Sequence, residues 1–102
     1  MILFNITFAV SPQSENDFLE WVSGSFIPEI NSCSSFSSPL LTRIIPQNPD
    51  ECQTQSFALQ FKADSVDTVN RWIECSGGMI LDKIHSKHGE GVLSFATFME
   101  IL

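Results

Sequence analysis

Two histidines, three cysteines and a scatter of carboxylates are the reactive side chains of this sequence, and their spacing decides what they could do. His85 and His88 stand at i and i+3, which places both on one face of a helix, with Asp82 a turn ahead of His85. Those three residues are the ligands a zinc-sensing module would use. Lys83 and Lys87 flank them and no second ligand cluster occurs elsewhere, whereas a structural zinc takes four protein donors. Polar and basic residues near a helix C-terminus are explained by the helix dipole. Cys33, Cys52 and Cys75 are odd in number, widely spaced and without a CxxC pair. A nucleophilic thiol needs a base and an electropositive setting, and the sequence indicates neither. Gly77-Gly78 falls inside a helical pattern, not between a strand and a helix, so it is no phosphate cradle. Asp64 and Asp67 read as helix-capping residues, and Trp21 and Trp72 as core. The sequence nominates no catalytic residue, no metal ligand and no cofactor.

The elements that carry these residues are clearer. Met1–Val10 alternates, with Ile2, Phe4, Ile6, Phe8 and Val10 on one side and Leu3, Asn5, Thr7 and Ala9 on the other, the period of a pleated strand. Ser11-Pro12 ends it. Ser14 and Asp17 resemble a capping pair for a helix carrying Phe18, Leu19, Trp21, Val22 and Phe26. Gly24 weakens that helix, and Pro28 is expected to kink or end it. Ser32–Ser38 reads as a loop and Leu40–Ile45 as a second strand, whose two faces are so equally apolar that no inward side can be assigned. An exposed hairpin loop over Gln47–Gln53 leads to Gln55–Lys62, with Phe57, Leu59 and Phe61 facing one way and Ser56, Ala58, Gln60 and Lys62 the other. A second helix starts at Asp64 or Ser65, buries Val66, Val69, Trp72, Ile73, Ile80 and Ile84, and bends at Gly77-Gly78. After Gly89-Glu90-Gly91 comes the last strand, Val92–Leu102, with Leu93, Phe95, Thr97, Met99 and Ile101 assigned to the core. Strand, helix, strand, strand, helix, strand makes one domain over residues 1–102. The expected class is α+β, ferredoxin-like βαββαβ, a four-stranded antiparallel sheet with two helices on one face.

Helices cover one face only. On these assignments the other face carries Leu3, Asn5, Thr7 and Ala9, then Ser56, Ala58, Gln60 and Lys62, then Val92, Ser94, Ala96, Phe98 and Glu100, a mixed set of mostly small side chains. A watered face usually bears longer, more charged ones. Asn5, Thr7, Ser56, Ala58, Gln60, Ser94, Ala96 and Phe98 are its candidate contact residues. Three readings compete. The face is solvated, or it is the seam of a homodimer with sheets stacked at about 10 Å, or it encloses a small-molecule cavity where Asn5, Gln60 or Ser94 orients a ligand.

Composition narrows the partners. With 43% apolar residues, nine Phe and two Trp, the chain can build a core without disulfide or metal. A formal charge of −7 repels phosphate, so nucleic acid and anionic membrane are not expected partners. The alternating opening run reads as a strand and not a leader, no stretch approaches a membrane span, and the cysteine usage suits the cytoplasm.

Four stretches carry a family resemblance. The opening MILFNITFAV, the segment EWVSGSFIPEI, the strand SFALQF followed by the Trp72 helix, and the closing HGEGVLSFATFMEIL together resemble the uncharacterised domain-of-unknown-function family 4286. The likeness covers nearly the whole chain and implies a fold similar to the dimeric α/β barrels, some of which are cofactor-independent oxygenases or small-molecule binders. Against the family pattern, Phe26 stands where a histidine often precedes the IPE run. Ser76-Gly77-Gly78, Leu81 and Ile84 replace the usual His-Ala-Pro restart and its further polar residues. The expected function is a non-enzymatic, cytoplasmic homodimeric binding or interaction module using its sheet face. The alternative is a cofactor-independent small-molecule enzyme of the dimeric-barrel type, with its cavity between sheet and partner.

Overall fold

The computed structural model describes residues 1–45 and 55–102, so the expected hairpin loop Gln47–Gln53 lies outside the described residues. Four strands, β1 (Ile2–Val10), β2 (Phe36–Ile44), β3 (Gln55–Ala63) and β4 (Val92–Glu100), form one antiparallel sheet in the order β2-β3-β1-β4. Two helical arms lie on one face. The first comprises α1 (Glu15–Trp21) and α2 (Ile27–Ser32) around a π-helical turn at Val22–Phe26, and the second α3 (Val66–Trp72) and α4 (Gly78–His88) around Ile73–Gly77. This is the ferredoxin-like βαββαβ arrangement that the sequence pattern predicts, with a widened turn one residue after each tryptophan.

The sheet's helix-facing side is aromatic. Phe4, Ile6, Phe8 and Val10 of β1 and Phe57, Leu59 and Phe61 of β3 are buried against Phe18, Val22, Phe26, Ile30, Val69, Trp72 and Ile84. Phe26 joins the two arms. Its ring stacks on Trp21 at 4.9 Å and on Trp72 at 5.7 Å, both at 18° between planes. Trp72 also presses on Gly77, where a Cβ would come within 2.5 Å of the indole. That contact places the bend at Ile73–Gly77, with Cys75 leaving helical geometry (φ −107°, ψ −113°), just ahead of the expected Gly77-Gly78. Val66 is exposed, and Ile73 and Ile80 are half-buried. The second stripe is therefore narrower than expected.

Three local expectations are corrected. Pro28 does not end its helix, because the π-helical turn restarts the ladder at Ile27 and puts Pro28 in a first turn, where its missing N–H costs little. Ser14 caps nothing. Its Oγ meets the Ser11 hydroxyl at 3.1 Å, while Ser65 is a true N-cap, accepting from the Thr68 N–H at 3.3 Å. The strand after the serine-rich stretch begins at Phe36 and runs through a bulge at Ser38-Pro39, with Ser38 at φ 57°. An edge strand tolerates such a proline. Gly89, at φ 54°, terminates α4. Among the described residues no helix is long and apolar enough to cross a membrane.

Candidate functional site

Among the described residues, nothing covers the side of the sheet away from the helices. Its composition follows from the register. Residues opposite one another in antiparallel strands share a face, so the pairings fix four rungs running from β2 through β3 and β1 to β4. They are Ile44–Ser56–Ala9–Leu93, then Thr42–Ala58–Thr7–Phe95, then Leu40–Gln60–Asn5–Thr97, and finally Ser37–Lys62–Leu3–Met99.

Two features of these rungs matter. Bulky apolar side chains stand on the edge strands. Leu40 is 51% and Ile44 43% exposed on β2, and Leu93 57% and Phe95 65% on β4. Between them the central strands carry small or neutral polar groups, which makes a trough. At its centre the Asn5 and Gln60 carboxamides are opposite one another, and Asn5 Nδ2 donates to Thr7 Oγ1 at 3.0 Å. The second feature is charge. The chain has twelve carboxylates and a net charge of −7, yet Lys62 is the only charged residue at these rung positions. Arg43 and Glu100 pair with Phe57 and Ile2 and so belong to the helix side.

Of the expected face residues, Asn5, Thr7, Ser56, Ala58 and Gln60 lie in the trough. Ser94, Ala96 and Phe98 do not. They pair with Phe8, Ile6 and Phe4 and face the helix side, so the assignment of β4 is reversed. The cause lies at the strand's start. The Ser11 N–H donates to the Gly91 carbonyl at 2.8 Å and sets Val92 against Val10, both fully buried. Beyond Val92 the strand outruns the helices and both its faces are exposed, so side-chain size no longer reports burial. Leu93, Phe95, Thr97 and Met99, expected in the core, belong to the open face instead. So do Leu40, Thr42 and Ile44, for which the sequence offered no choice of side. The pairing register alone reveals them.

Other candidate chemistry lies off this face. His85 engages both ring nitrogens, with the Val92 carbonyl at 3.0 Å and Ser94 Oγ at 2.9 Å. Among the described residues no three His, Cys, Asp or Glu side chains gather as metal ligands. Cys33 and Cys75 are free thiols. An open cleft of about 450 Å³ lies at the far end of β4, lined in part by Ile2, Asp64, Val66 and Phe98.

The comparisons with known proteins agree with this fold. The family described as "Domain of unknown function (DUF4286)" matches residues 1–102. No curated protein matches the chain. Among solved structures, a candidate antibiotic biosynthesis monooxygenase from Deinococcus radiodurans superposes with a TM-score of 0.77 at 12% identity, over 100% of this chain and 93% of that one. HapK from Hahella chejuensis gives 0.73 at 13%, over 100% and 93%. A dimeric ferredoxin-like protein from an uncultured marine organism gives 0.64 at 11%, over 100% and 95%. At such identities the likeness is one of fold.

Proposed function

The chain belongs to the DUF4286 family, and on that premise we propose that it is a homodimeric binding module whose sheet faces stack around a small-molecule site. The observation that carries this reading is the uncovered face, apolar at its edges and, among the described residues, free of carboxylates in an acidic protein. Four strands about 4.8 Å apart and nine residues long present roughly 600 Å² in projection. Side-chain relief raises that toward the ~800 Å² per partner of a stable complex. A second copy is the occupant this face fits, since a self-complementary patch closes into a twofold dimer, and similar folds include proteins described as dimeric. Stacked at about 10 Å, the tall edge strands meet first and leave space over the trough. Asn5, Thr7, Gln60 and Thr97 of both copies then line a polar pocket for a small, neutral, hydrogen-bonding ligand. The free thiols Cys33 and Cys75 suit a cytoplasmic setting.

A cofactor-independent small-molecule enzyme would use the same trough, and the monooxygenase description of one similar fold favours that second reading. Binding is preferred because the trough residues are amides and hydroxyls, with Lys62 the one ionisable group at its end. Sedimentation of the purified chain at micromolar concentration tests the dimer. Twice the chain mass is expected, and a monomer at every concentration up to about 100 µM, where even a weak ~µM dimer would be populated, overturns the proposal.

A further inference from the structure

We infer that Ser94 and His85 form a nucleophile–base pair for acyl transfer, on the helix side of the sheet and apart from the dimer seam. His85 reaches from α4 onto β4. Its Nδ1 lies 3.0 Å from the Val92 carbonyl oxygen and its Nε2 lies 2.9 Å from Ser94 Oγ. A carbonyl oxygen only accepts, so Nδ1 carries the proton, and the bare Nε2 accepts from the Ser94 hydroxyl. An orienting acceptor, an imidazole fixed in one tautomer and a hydroxyl aimed at it stand in line, which is what serine nucleophiles require. Here the orienting group is a carbonyl and not a carboxylate, so it fixes the ring without a counter-charge, and the pair suits reactive esters.

The strand supplies the remaining parts. The Ile101 N–H donates to the Met1 carbonyl at 3.2 Å, so odd-numbered residues of β4 turn their backbone groups toward β1. Even-numbered residues turn theirs to the free edge. The Ser94 N–H is thereby available to a developing oxyanion. Ser94 is exposed, and Ala96 and Phe98 continue its face as an exposed apolar strip toward the cleft beside Ile2 and Val66. A short apolar acyl group on Ser94 would lie along that strip.

The step balances as follows. Oγ bonds to the ester carbonyl carbon while its proton passes to Nε2. The tetrahedral intermediate then breaks its bond to the leaving alcohol, which takes that proton. Water, deprotonated by the same nitrogen, cleaves the acyl-serine, releases the acid and restores the hydroxyl.

The experiment mixes the full chain with p-nitrophenyl butyrate, quenches with acid at a series of early times so that the acyl-serine is trapped before water cleaves it, and maps the adduct by peptide mass spectrometry. One butyryl group is expected, on Ser94, forming at least roughly tenfold faster than on any other hydroxyl. Labelling should vanish in Ser94→Ala, stop once the imidazole is protonated, and fall at least about tenfold in His85→Gln. Label confined to other residues, or Ser94 labelled equally fast in His85→Gln, overturns the inference and leaves the pair a helix-to-strand staple. The pair lies off the seam, so solution mass reports on the dimer separately.

Discussion

Replacing Ala58 by arginine tests the seam at its centre. Ala58 lies between Thr42 and Thr7 on the second rung, half-buried on a face no helix covers. In the monomer the new side chain has open solvent above it, so folding should change by less than about 0.5 kcal/mol, the range of surface substitutions. In the stacked dimer two guanidinium groups are carried into a desolvated seam where the only charged neighbour, Lys62, has the same sign. An uncompensated buried charge costs about 3 kcal/mol or more. Two of them weaken association by about 6 kcal/mol, or roughly four decades in Kd. A micromolar dimer becomes monomeric at every practical concentration. Sedimentation velocity reads the mass, and a thermal melt by circular dichroism confirms that the fold survives. An unchanged dimer mass refutes the seam, because no arrangement of this face hides two arginines at no cost.

Other substitutions probe separate parts of the account. Phe95→Ser removes the most exposed apolar strand residue of the open face and should weaken the dimer by about 2 kcal/mol, seen as a raised dissociation constant on dilution. Gly77→Ala forces a methyl into the Trp72 indole and should cost about 1–3 kcal/mol of stability, with a change in the near-ultraviolet tryptophan signal. Ser65→Ala loses a real N-cap and should cost about 1 kcal/mol in denaturant titrations. Ser14→Ala loses only a bond to Ser11 and should cost less than half as much.

The alternation in β1 and β3 made the fold legible, because a strand buried on one side under helices sorts its residues by size. That logic failed on β4. Its helix side beyond Val92 holds the small Ser94 and Ala96, while Leu93 and Phe95 stand on the other, since neither side is buried by this chain. Large residues pointing away from an aromatic core are what a second covering layer would require. β2 shows the same limit, since Leu40 and Leu41 lie on opposite faces and are both apolar, so the pairing with Gln60 and Leu59 and not the side-chain type sets their sides. The π-helical turns were not legible. They depend on Trp21, Phe26 and Trp72 packing between the arms, a tertiary contact with no local sequence signal. Asn5, Thr7, Ser56, Ala58 and Gln60 share the side of the sheet that the alternation of β1 and β3 implies, whereas Ser94, Ala96 and Phe98 turn the other way through the register set by Ser11 and Gly91.

Isotope-filtered NMR on a mixture of labelled and unlabelled copies tests the stacked faces most directly. The account predicts contacts between copies from the edge-strand methyl groups of Leu40, Ile44 and Leu93, which stand tallest on the open face, and none from Phe18 or Val69. Contacts arising only from the helix side, or no contacts between copies at all, contradict it.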